Sequence, residues 1–202
     1  RSRQPERDAP AEIKFTGSLG SGLPERGAGV EYSRPVLEGG ILISAAGRYF
    51  GDYRAPGMTV DGSSAKDTGL LVRLDHEAGP GNLTVGWLTS LSRDVERATD
   101  RSSSLRISQP FDDAHRLTLS YDMDPRTGGE MISFHGFAGG SRLFTRQQID
   151  PGGGLPPETS SSDVRASDYG ARARLVKPAR RGRIEAGIDL NGRFGLNAEG
   201  EI

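Results

Sequence analysis

Cysteine is missing from the 202 residues, which excludes a disulfide framework, a thiolate zinc site, an iron–sulfur cluster and a cysteine nucleophile. A stretch of roughly 18 apolar residues, the length a membrane helix needs, occurs nowhere. The charged opening, Arg1 to Pro10, does not read as a signal peptide. Charge of one sign is lacking too. The 26 Lys plus Arg and 27 Asp plus Glu leave a formal net charge of -1, so nothing supports an electrostatic grip on nucleic acid.

Motifs for catalysis are equally scarce. His76, His115 and His135 are too far apart for a local ligand pair, and no H-E-x-x-H spacing occurs, so no metal site is expected. No serine lies in a G-x-S-x-G elbow, and Gly152-Gly153-Gly154 runs into Leu-Pro-Pro instead of a helix carrying Lys. The carboxylates alternate with arginines rather than pairing with one another. The sequence therefore reads as a non-enzyme without a cofactor.

What the chain does have is period two. Ile41, Ile43, Ala45, Gly47 and Tyr49 alternate with a face that carries Ser44 and Arg48. The same holds for Leu70, Val72, Leu74 and His76 against Arg73 and Asp75. It recurs in Leu83-Trp87, Leu117-Met123, Tyr169-Leu175 and Ile184-Leu190, with weaker copies around Ile13-Leu19, Ala28-Tyr32 and residues 131–147. Helical spacing is almost absent, so the fold class is all-β. The apolar positions of these runs carry no Lys, Arg, Asp or Glu, whereas the opposite positions hold Arg48, Arg73, Asp75, Arg116, Asp122, Arg172, Arg174, Glu185 and Asp189. A half-buried soluble sheet and a membrane barrel share this alternation.

Connection lengths separate the two. Short turns (35–40, 77–81, 124–129, 177–182) alternate with long loops (51–67, 92–113, 148–167), as in outer-membrane barrels with tight turns on one rim and long loops on the other. Gly, Pro, Asn and Asp in the short turns fit tight reversal. Leu105-Arg106-Ile107 is assigned to a long loop because Pro110 follows, and the Pro/Gly/Ser-rich segment 150–163 is expected to be mobile. Residues 1–10 read as linker and 11–202 as one domain of about nine strands. Because the chain opens without Met and stops inside an alternating stretch, it is expected to belong to something longer.

The stretches Gly39–Arg54, Asp67–Asp75, Asn82–Val95, Asp112–Asp122 and Gly182–Asn191 resemble the early barrel of TonB-dependent outer-membrane receptors. The resemblance implies a partial antiparallel up-and-down transmembrane β-barrel, about nine strands of a larger one, in the Gram-negative outer membrane. It implies uptake of a scarce small-molecule chelate such as a ferric siderophore, haem or cobalamin. Its partners would be outer-membrane lipid and a TonB-type energy-transducing protein, the latter contacted through an N-terminal region not visible in these residues. Tyr53, Arg54, Arg93, Asp94, Arg97 and Arg101 are the expected ligand-capturing groups of the long loops. The nine charged residues above would line the lumen. Tyr32, Tyr49, Trp87, Tyr121 and Tyr169 would sit toward the headgroup boundaries. The rival readings are a passive outer-membrane channel and a soluble secreted β-sandwich binding module.

Overall fold

The computed structural model describes residues 10–20, 24–36, 38–55, 58–60, 62–97, 104–123, 130–180 and 182–201. All regular structure among them is β. Nine strands form one antiparallel sheet in simple sequence order: β1 (Glu12–Gly20), β2 (Glu25–Val36), β3 (Gly39–Phe50), β6 (Ala65–Ala78), β7 (Gly81–Arg97), β8 (Leu105–Met123), β9 (Met131–Ile149), β10 (Glu158–Ala179) and β11 (Gly182–Glu201). The small hairpin β4 (Tyr53–Ala55) and β5 (Met58–Val60) stands in the connection between β3 and β6. β1 and β11 end the sheet, each with one neighbour.

Two residues separate β2 from β3, β6 from β7 and β10 from β11. Gly79, at φ 60, precedes Pro80 between β6 and β7, a backbone state in which an L side chain is strained. The turn at 124–129 and the linker at 1–9 lie outside the described residues. Every strand of the nine-stranded sheet after β1 is longer than the ten or so residues a tilted membrane strand needs, reaching 22 residues in β10.

That growth corrects three loop expectations. The long connection placed at 92–113 is only 98–104, because β7 runs on to Arg97 and β8 starts at Leu105. Pro110 is absorbed rather than avoided. Asp94 adopts φ 50 opposite it, and the β8–β9 register slips between Ser108 and Phe111, a bulge that accommodates a residue without a ladder donor. Likewise β10 begins at Glu158, so only 150–157 lie outside the ladder, and the segment 51–67 contains the β4–β5 hairpin and the start of β6.

Register places the apolar positions of all nine strands on one face. One cross-sheet row reads Ile13, Tyr32, Ile43, Val72, Trp87, Leu117, Ala138 and Tyr169; the next reads Ile41, Leu74, Val85, Leu119, Gly136, Ala171 and Leu190. Among the described residues nothing is layered onto that face. The buried apolar side chains are Leu42 and Ala166, whereas Phe15, Trp87, Leu117, Leu119, Ile188 and Phe194 are all more than a third exposed. A sheet of this size normally buries one face against a second layer, and this one does not.

Candidate functional site

Two faces and one rim carry the chemistry. On the polar face the expected lumen residues are drawn into ion pairs across and along the strands. Arg73 Nε bonds Asp75 Oδ2 at 2.8 Å, and Thr84 Oγ1 donates to Asp75 at 2.5 Å. These two charged side chains are only 14% and 21% exposed, the most shielded pair of the face. Arg172 pairs with Asp189, and Arg174 Nε with Glu185 Oε1 at 2.7 Å. Asp122 lies 3.5 Å from His135 Nε2, whose Nδ1 meets Ser120 Oγ at 3.0 Å. Arg116 stacks over the Phe137 ring at 4.2 Å. Arg48 stands in register with Asp67. The row of arginines is therefore largely compensated by acids or an aromatic ring rather than forming an uncompensated cationic path. Leu42, Leu71, Leu88 and Phe137 also fall on this face, apolar positions that alternation alone assigned no role.

The expected ligand-capturing residues do not form one loop cluster. Tyr53 and Arg54 belong to β4, where the Tyr53 amide donates to Ser63 Oγ at 2.6 Å. Arg93, Asp94 and Arg97 lie in β7, not in a loop. Arg93 bridges to Asp113, Asp94 turns at its bulge toward Lys66 Nζ at 2.7 Å, and Arg97 pairs in register with Ile107. The Asp94 carboxylate raises the Lys66 pKa. The hairpin connection is tied to this rim, since the Glu96 amide donates to the Ser64 carbonyl at 3.0 Å. Arg101 lies outside the described residues.

A feature missed in the sequence lies on the apolar face where the apolar band ends. Along β10, the positions on that face from 175 to 167 are uncharged, about ten residues of strand, bracketed by Lys177 below and Arg165 above. At that upper border Arg93 meets Asp113, and Arg142 and Arg165 share Asp163 at 2.6 and 3.0 Å. Those two guanidiniums hold the Asp163 carboxyl far below the usual carboxylate range. Phe111 and Phe144 stack at 5.2 Å, with Arg142 over one ring and Arg146 over the other. The signal was present as Arg142, Phe144 and Arg146 on one parity, but it becomes a belt only once the register is known.

Of the five aromatics expected near the band edges, Tyr32, Trp87 and Tyr169 share a single row two steps inside this charged border, and Tyr49 lies in it, with Arg26 5.8 Å from its ring. Tyr121 is near the short-turn rim, its hydroxyl donating to the Ala78 carbonyl at 3.2 Å. Among the described residues Arg34 is the charge inside the band, in register with Ile41. No cluster of three or more potential metal ligands occurs among the described residues.

Neither known protein families, nor curated proteins, nor solved structures gave a match to this chain. The likeness to TonB-dependent receptors therefore stands on the sequence features alone.

Proposed function

We propose that this chain is part of the wall of an outer-membrane receptor resembling the TonB-dependent class, whose role is energised uptake of a scarce chelate such as a ferric siderophore, haem or cobalamin. The observation that carries the reading is the uncovered apolar face. In water, leaving so many large apolar side chains exposed forfeits roughly 25 cal/mol for each Å² of apolar surface that folding could have buried. Against hydrocarbon the same face has its proper solvent, and the ten-residue uncharged band has the right height. The simple up-and-down order supports it as well, as does the longer connection at 51–64 on the rim opposite the two-residue reversals β2–β3, β6–β7 and β10–β11.

An odd number of antiparallel strands sends the first and last in the same direction, so an all-antiparallel ring is completed by an odd number of further strands. Until then the two free edges leave unpaired backbone groups that lipid does not tolerate. Experiments on the protein accordingly use it as expressed from its full reading frame. A soluble sandwich would need a second layer over the apolar face.

The functional test is uptake in cells. Deleting the gene should abolish accumulation of one labelled iron chelate, haem or cobalamin under scarcity, and a proton uncoupler should abolish it in the parent. Uptake that depends on the gene but ignores the uncoupler would refute energised transport and leave a passive channel.

A further inference from the structure

The charged belt above the apolar band has an arrangement that ordinary sheets avoid. Lys66 stands directly opposite Arg93, and Arg142 directly opposite Arg165, and like charges in facing positions repel. Lys66 is relieved by Asp94 at 2.7 Å, an acid as exposed as itself, whereas the arginines are relieved from beneath. Arg142 and Arg165 are 44% and 56% exposed over Asp163 at 15%, and Arg93 is 42% exposed over Asp113 at 23%. At the Arg142–Arg165 pair the guanidiniums thus lie outward of the acid they share, while elsewhere the belt presents both signs. Two guanidiniums also share one carboxylate at that point.

We propose that this belt binds the phosphate groups of anionic lipid headgroups in the leaflet next to the long-connection rim. The inference rests on the reading that the apolar face meets hydrocarbon, since that places the belt at headgroup height. Guanidiniums suit phosphate because their planar donors engage two oxygens at once. Stacking on Phe111 and Phe144 holds Arg142 and Arg146 in place, so less freedom is lost when a phosphate arrives. A phosphate between Arg142 and Arg165 turns this repulsive pair into a bridged one.

The test is native mass spectrometry of the protein in dodecyl maltoside with dioctanoyl phosphatidic acid, dioctanoyl phosphatidylcholine or inorganic phosphate. The phosphatidic acid should be retained on the order of tenfold over phosphatidylcholine, from about a fivefold gain per cation. Arg142→Gln with Arg165→Gln should remove most of that preference, whereas Arg172→Gln with Asp189→Asn, on the opposite face, should leave it intact. Asp163→Asn, which deletes the competing carboxylate, should raise retention and keeps the test decisive if the double variant fails to fold. Equal retention of the two lipids overturns the proposal, as does full competition by inorganic phosphate, which would mark a site for free anions. Both of those results leave the hydrocarbon reading standing; accessibility of the apolar face to water would overturn both together.

Discussion

Leu119 sits near the middle of the uncharged band, on the apolar face of β8, and its neighbour Ser120 sits on the polar face. On the proposed membrane reading, replacing Leu119 with Arg forces a guanidinium into hydrocarbon at mid-depth, a cost of about 2–4 kcal/mol. That is roughly a 30- to 700-fold loss in the folding equilibrium constant at about 1.4 kcal/mol per decade. Replacing Ser120 with Arg loses one exposed hydrogen bond to His135, about 1 kcal/mol at most, and places the new charge beside Asp122. The two variants differ by one position in sequence and by the solvent they meet. Denaturant titration of the protein reconstituted in phosphatidylcholine vesicles measures both. Equal costs, or a loss below about 0.5 kcal/mol for Leu119→Arg as expected of an ordinary surface site, would refute the assignment of faces.

Glycine positions give a second prediction. A Cβ on Gly39 would overlap the Asp75 carbonyl, whereas one on Gly47 would find its nearest neighbour, the Asp67 carbonyl, at 3.8 Å. Gly39→Ala should cost about 1–3 kcal/mol by overpacking, and Gly47→Ala should be neutral or slightly stabilising, read from denaturation midpoints. A third concerns pH. The folded Asp163 pKa is depressed by Arg142 and Arg165, so its stabilising contribution is complete above the unfolded carboxylate value. It fades as pH falls through the lower folded one. The stability difference between the parent protein and Asp163→Asn should therefore stay constant from pH 7 to about pH 5 and shrink only in stronger acid; a midpoint of that change near pH 6 would contradict the assignment.

Much of the sheet was legible because period two is written residue by residue: Leu117, Leu119 and Tyr121 against Arg116, Thr118 and Ser120 leave one choice of faces. Strand ends were less so. Pro110 reads as a stop, and only the Asp94 conformation and the register slip beside it show how β7 and β8 pass it. That the nine charged residues share one face was legible, but their pairing was not fixed. Arg172 and Asp189 are 17 positions apart and meet only through the β10–β11 register. The belt needed still more, because Arg93, Asp113, Arg142 and Asp163 come from four strands. Alternation specifies faces, and long-range pairing specifies neighbours.

The measurement closest to the central claim is a spin-label scan of β8. This chain has no cysteine, so a single engineered one at each position from 116 to 121 labels one known site in it. In reconstituted vesicles, labels at 117, 119 and 121 should be accessible to oxygen and shielded from a water-soluble nickel chelate, and those at 116, 118 and 120 should show the reverse. Labels at 117, 119 and 121 that neither reagent reaches would reveal a dry packed core, and labels that the nickel chelate reaches freely would reveal water; either would contradict the account.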